Sequence, residues 1–317
     1  SRYATTRAVL AQAAVLDAEI EQLDVKTAFL QGELDEAVYV LQPPGFSDGT
    51  GQVCLLTKAL YGLKQAPRAW HRTLHAKLVE LGYAESQADP GLYIREVEQG
   101  VRVWLLVYVD DILVVSVCKS AVAAAKAELM QAFDARDLGA ASTFIGLHIV
   151  RDRSARTLSI DGEQLINALT SQYRLQHSSR ELPMSHGEVL VRGGDPLDQT
   201  TCPYSSLVGS LLWLSVTTRP DIAFAVGALS RHMAAPSQQH WTAAKGVLRY
   251  LAGTSSRGIV YGGGDAQQVG LGLAGWCDAD NAGDKDTRKS TTGFVFTVAG
   301  GAISWRSKRQ PTVALST

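Results

Sequence analysis

The chain has 317 residues, 46% of them hydrophobic, with 30 Lys and Arg against 31 Asp and Glu for a net charge of -1. That size suits two or three domains with ordinary packed cores, and the charge excludes binding to nucleic acid through a globally basic surface, leaving only a local basic groove. Asp110 and Asp111 interrupt the best apolar run, so no segment reads as a membrane span, and residues 1–20 lack the basic start and apolar block of a secretory leader.

In chain order, the pattern predicts an alanine-rich helix over 4–18 with Val9, Leu10, Ala13, Ala14 and Leu16 inward, then a strand from Glu19 to Val25. A short helix is expected over 26–34 and a strand over 38–41, stopped by Pro43-Pro44-Gly45. Trp70, Leu74, Leu78 and Leu81 recur at helical spacing over 66–81, and Gly82 stands where a helix-ending glycine belongs. Strands follow near 92–95 and over 101–117, a helix over 119–133, and strands near 143–150 and 156–160. Further helices are expected over 161–175, 204–216, 221–232 and 237–252, with a polar connector over 176–202. Gly262-Gly263-Gly264 reads as a flexible boundary, and strands over 269–277, 292–298 and 302–306 close the chain. The cysteines at 54, 118, 202 and 277 are scattered without a CxxC, which suits reduced thiols and an intracellular location.

The chemistry concentrates in Trp104-Leu105-Leu106-Val107-Tyr108-Val109-Asp110-Asp111-Ile112-Leu113-Val114-Val115, where two acids sit inside a β-branched apolar run. The run reads as a hairpin with the acids at its turn. Adjacent desolvated carboxylates repel one another and call for a compensating charge, for which a divalent metal is the usual solution. Asp24 ends the earlier strand, and if the two elements are neighbours, three carboxylates converge at one sheet edge. Oxygen donors of this kind favour Mg²⁺, with Mn²⁺ as a substitute, and two ions about 4 Å apart would support phosphoryl transfer. The competing readings are a solvated turn pair and strand-end aspartate, and for Phe29 a plain core aromatic.

Several segments carry a resemblance. Gln22-Leu23-Asp24-Val25-Lys26-Thr27-Ala28-Phe29-Leu30-Gln31-Gly32, Gln42-Pro43-Pro44-Gly45-Phe46, the run from Lys58 to Trp70, Tyr108-Val109-Asp110-Asp111 and Phe144-Ile145-Gly146-Leu147 come in the order found in copia-type LTR-retrotransposon reverse transcriptases, and the chain resembles that family along essentially its whole length. Tyr204-Ser205-Ser206-Leu207-Val208-Gly209-Ser210-Leu211-Leu212-Trp213 and Thr218-Arg219-Pro220-Asp221-Ile222 match the same polyprotein. The resemblance implies an α+β fold: a reverse-transcriptase palm of antiparallel sheet and helices over 1–150, a helical thumb or connection region over 151–264, and a truncated RNase H-like sheet over 265–317. It implies an RNA-directed DNA polymerase taking an RNA or DNA template, a DNA primer and deoxynucleoside triphosphates. Asp24, Asp110 and Asp111 would be the catalytic, metal-holding residues, joined by the Val25 carbonyl. Phe29 would exclude a ribose 2′-OH, and Gln65 would line the nucleotide pocket. Lys64 and Arg68 could meet phosphates or face water, and Arg136 stands where the family often has a lysine.

Asp278 falls at the start of the family's RNase H region, but Asn281 stands where tryptophan is common, and a lone Asp cannot hold two metals. With Ser1-Arg2-Tyr3 at one end and Ala314-Leu315-Ser316-Thr317 at the other, the chain reads as a segment of a longer polypeptide whose fingers region and RNase H helix lie beyond it. The alternatives are an inactive or domesticated remnant that at most binds nucleic acid, and a different two-metal nucleotidyltransferase.

Overall fold

The computed structural model describes residues 1–263 and 271–314. Gly264, the first two residues of the strand expected over 269–277, and the terminal Leu315-Ser316-Thr317 lie outside the described residues. Among the described residues every strand pairing is antiparallel, and α-helices pack with the sheets in an α+β arrangement, as expected. No helix among them is long and apolar enough to cross a membrane. The chain forms two compact units, residues 1–6 with 16–141 and residues 7–15 with 142–317.

Helix α1 (Tyr3–Val15) leads into β1 (Glu19–Val25). The helix expected over 26–34 shrinks to a 3-10 turn, Ala28–Gln31. Thr27, at φ +50°, breaks the helical run before it, and Gly32 lies so close to the next helix that a Cβ there would stand 2.8 Å from the Trp70 nitrogen. The short strands β2 (Tyr39–Leu41) and β3 (Val53–Leu55) form a separate ribbon. Then come α2 (Ala66–Glu80), β4 (Ala84–Ser86), β5 (Asp89–Glu98), β6 (Val101–Tyr108), β7 (Asp111–Ser116), α3 (Lys119–Ala132) and β8 (Ala135–Ala140). The first unit's main sheet has the order β4-β5-β6-β7-β1-β8. Leu23, Val25, Val103, Leu105, Val107, Ile112 and Val114 alternate along β1, β6 and β7 and share one core with Trp70, Leu74 and Leu78 of α2 and Val122, Ala125 and Leu129 of α3. Both helices therefore cover one sheet face. Strands β3, β4 and β8 were not expected; the first two are three residues long, and β8 is polar and mostly exposed, so none shows a clear alternation.

In the second unit, β9 (Thr143–Phe144), β10 (Leu147–Asp152) and β11 (Thr157–Asp161) are the strands expected near 143–160, but they belong to this unit and pair onward with β12 (Ile259–Gly262). Ile145 at φ +45° and Gly146 at φ +81° form the β9–β10 turn, and a Cβ on Gly146 would stand 2.8 Å from the Trp213 ring, so two separated sequence motifs meet there. Helices α4 (Glu163–Gln172), α5 (Tyr204–Thr217), α6 (Ala223–Ser230) and α7 (Gln238–Ala252) enclose a second core around Ile166, Leu207, Leu211, Val226, Trp241 and Val247. The glycine run is no loose hinge at its start: Gly262 donates to the Ala299 carbonyl at 2.9 Å and Gly263 to the Arg156 carbonyl at 3.1 Å. A last sheet, β13 (Ala274–Ala279), β14 (Thr291–Val298) and β15 (Gly301–Arg309), is a three-stranded meander.

The Thr218-Arg219-Pro220-Asp221 motif is a structural latch. Arg219, 1% exposed, grips the Asp221 carboxylate through Nε and Nη2 and donates to the Thr254 carbonyl and hydroxyl, while the Tyr250 hydroxyl donates to Asp221 at 2.7 Å. Arg219 is buried while Asp221 is exposed, so losing the arginine removes its hydrogen bonds and the packing of its stem rather than stranding a buried charge. Arg219→Ala is expected to cost about 1–3 kcal/mol, read as a lower urea midpoint at unchanged slope; an unchanged midpoint would contradict the latch.

Nearby, His232 stacks on His240 with ring centroids 3.9 Å apart. Burial, and secondarily the charge of His240, pulls the His232 pKa down from 6.5 to about 4. The unfolded imidazole therefore takes a proton that the folded one refuses. The contribution of this pair to stability is intact above pH 6.5 and is lost as the pH falls toward 4. The thermal midpoint is expected to drop across that window and to drop less in His232→Phe; an equal drop in both would refute the assignment.

Candidate active site

Register brings the predicted acids together. Strand β1 pairs with β7 so that Asp24 lies directly opposite Asp111, a spacing of about 5 Å between Cβ atoms. Tyr108 pairs with Asp111 across the β6–β7 hairpin, leaving Val109 and Asp110 as its two-residue turn. The Asp110 carbonyl accepts the Val25 amide at 2.8 Å, tying the turn to the end of β1. Because Leu23, Val25 and Ile112 point into the helix-covered core, alternation sends Asp24 and Asp111 to the opposite face. All three aspartates are half-buried.

The electrostatics match this crowding. Asp111 has its pKa raised, chiefly by burial and further by the charges of Asp110 and Asp24, while the Gln22 amide, donating to its Oδ1 at 3.0 Å, works the other way. No Lys or Arg among the described residues forms an ion pair with these aspartates, although Arg136 on β8 sits across from Asp24 in register. Among the described residues no three His, Cys, Asp or Glu side chains form a ready-made metal cage. The donor set nevertheless fits Mg²⁺, which is commonly held by one or two carboxylates completed by water and substrate phosphates. Asp24 and Asp110 with Asp111 would hold it.

The turn is strained. Val109 is β-branched yet stands at φ +55°, a conformation costing roughly 1–3 kcal/mol. The Trp70 indole donates to its carbonyl at 2.6 Å. A cavity of about 340 Å³ beside the turn is lined by Phe29, Pro67, Trp70, Tyr108 and Val109 among others.

The remaining predicted residues divide. Phe29 sits on the 3-10 turn, half-buried, with its ring 4.8 Å from that of Tyr61. Gln65 stands at the N-cap position of α2 without a side-chain cap bond and donates through its side chain to Glu36 at 3.0 Å. The Val25 side chain is buried and its N–H is engaged by Asp110. Asp278, on β13, is exposed, accepts the Ala279 amide at 2.7 Å and lines a cavity of about 810 Å³ with Trp276, Asp280, Phe294 and Trp305. Gln22, Tyr61 and the Trp70 indole were missed; only Gln22 carried a signal, standing two residues before Asp24 on the same strand face.

An antiparallel sheet that presents opposed carboxylates at a hairpin turn offers hard oxygen donors of the kind divalent cations take. The family model for reverse transcriptase (RNA-dependent DNA polymerase) matches residues 1–184. The chain is 42% identical over 98% of its length to the retrovirus-related Pol polyprotein from transposon TNT 1-94 of Nicotiana tabacum, covering 24% of that protein. It is 39% identical over 94% of its length to the Pol polyprotein from transposon RE1 of Arabidopsis thaliana, covering 20% of it. A transposon Ty5-1 protein of Saccharomyces cerevisiae is 34% identical, with 90% of this chain and 92% of that protein covered. The chain belongs to the reverse transcriptase family, in its copia-type retrotransposon branch, and spans about a quarter or less of the plant polyproteins.

The raised Asp111 pKa makes a metal-free test possible. A carboxyl whose folded pKa is raised contributes stability below its unfolded pKa and loses it as the pH rises. Asp111→Asn, which keeps an Oδ1 for Gln22, is expected to raise the metal-free unfolding midpoint at pH 7, with the gain fading toward pH 3.8. A lower midpoint at pH 7 would show that the charge is not strained.

Proposed function

We propose that the first unit is the palm of an RNA-directed DNA polymerase that extends a DNA primer on an RNA or DNA template. The observation that supports it most is the register that sets Asp24 against Asp111 with Asp110 at the adjoining turn. The primer 3′-hydroxyl attacks the α-phosphate of a deoxynucleoside triphosphate, and pyrophosphate leaves. Two Mg²⁺ ions, when bound, supply hydroxyl activation and charge neutralisation on the leaving oxygen. Asp24 and Asp110 hold that charge in place, and Asp111, kept in position by Gln22, adds negative potential beside them. The Phe29 ring, braced by Tyr61, fills the space a ribose 2′-hydroxyl would need. Sequence choice comes from base pairing, and the protein grips the duplex through backbone and shape.

The domain plan proposed with this function is a palm over 1–150, of which residues 7–15 and 142–150 group with the second unit, a helical thumb or connection region over 151–264 and an RNase H-like sheet over 265–317. Asp278 would be the first RNase H-like carboxylate; a lone Asp does not hold two metals, so this chain is expected to leave the RNA of a hybrid uncut.

Primer extension with Mg²⁺ tests the polymerase. Asp24→Asn and Asp110→Asn are expected to lower extension by about 10³-fold or more, while Phe29→Val leaves deoxynucleotide use largely intact and raises ribonucleotide incorporation by about 10–100-fold. Extension indifferent to Asp110→Asn would reject the mechanism, and unchanged sugar selection would reject the role of Phe29.

A further inference from the structure

We propose that Trp70 is a positioning residue that holds the Val109–Asp110 turn in register with β1 and so sets where the Asp110 carboxylate stands; the catalytic consequence rests on the polymerase reading above. Trp70 is 3% exposed, and its ring is fixed edge-on against Phe133 with centroids 5.5 Å apart. From that seat its indole N–H donates to the Val109 carbonyl at 2.6 Å. The acceptor belongs to the residue whose backbone is most in need of support, a valine at φ +55°. On the other side of the next peptide, the Asp110 carbonyl takes the Val25 amide. The turn is thus pinned at successive carbonyls, one to the helix α2 and one to the strand carrying Asp24.

The same residue braces the second part of the site. The Trp70 backbone is the surface on which Gly32 rests, with no room for a Cβ, and Gly32 closes the 3-10 turn that carries Phe29 by donating to the Phe29 carbonyl at 3.1 Å. One side chain and one backbone nitrogen of α2 therefore fix the aspartate turn and the Phe29 turn against a common reference. A ring of equal volume without the N–H would fill the core as well but lose the hydrogen bond, so the two contributions of Trp70 can be separated.

The test uses the full chain with Trp70→Phe and with the indole replaced by benzothiophene, which keeps the ring volume and substitutes sulfur for N–H. Three quantities are read: amide exchange at Val25, which reports the bond to Asp110; the global unfolding midpoint; and steady-state primer extension. In the benzothiophene variant Val25 exchange is expected to speed up by about tenfold or more with the midpoint nearly unchanged. The kcat is expected to fall by about 10–100-fold, with KM for primer–template within about twofold. Val25 exchange and kcat both within about twofold of the parent would overturn the proposal, as would a kcat loss without faster exchange, since the effect would then not pass through the turn. Should the parent chain extend no primer, the polymerase reading falls, while Val25 exchange still decides what Trp70 does. If the phenylalanine variant unfolds, the volume-matched variant carries the result.

Discussion

Two like charges held face to face across a β-ladder are an unstable arrangement unless something else compensates them, and this chain contains that arrangement at Asp24 and Asp111, with a third acid on the adjoining turn. The surrounding structure can be understood as what is needed to sustain it. Apolar alternation along β1, β6 and β7 buries one face beneath two helices, which leaves the acids no choice but the other face. The β6–β7 hairpin beside them uses a valine in the left-handed region, where glycine or asparagine would be easier, and two hydrogen bonds hold it there. Local strain of this sort persists only where the neighbouring structure over-determines it.

The division of labour within the first unit follows. Strand β1 and the hairpin carry charge, α2 carries geometry, and the 3-10 turn carries an aromatic wall. Glycine matters at Gly32, because the backbone of α2 occupies the space a side chain would take. The second unit has its own logic, a helical core of large apolar residues locked by the Arg219–Asp221–Tyr250 network, with the β13–β15 sheet beside it. Its motifs are strong in sequence because burial, not chemistry, constrains them: Arg219 and Tyr204 are among the largest fully buried side chains.

Much of this was legible in the residues. The helices α2 and α7 follow from an apolar face at helical spacing, and α1, α3, α5 and the strands β1, β6 and β7 from apolar runs of the right length and residue type. The short elements β3, β4 and β8 were not, because three-residue strands or polar edge strands take their conformation from partners rather than from their own pattern. The meeting of Asp24 with Asp111 could be posed as a question but not answered, since register between distant strands depends on tertiary packing. The turn of Gln65 toward Glu36 and the place of Tyr61 beside Phe29 were not readable either, because they depend on a loop fold that no spacing rule predicts. Trp70 illustrates the opposite error, a residue read correctly as core whose polar edge was overlooked.

The central claim is that residues far apart in the chain would together hold the same pair of divalent ions. Bound Fe²⁺ in place of Mg²⁺, with ascorbate and peroxide, cuts the backbone where the ion sits. The account predicts paired cuts near Asp24 and near Asp110–Asp111, suppressed together by excess Mg²⁺. Cuts at one of these segments without the other, or cuts that Mg²⁺ does not suppress, would contradict it.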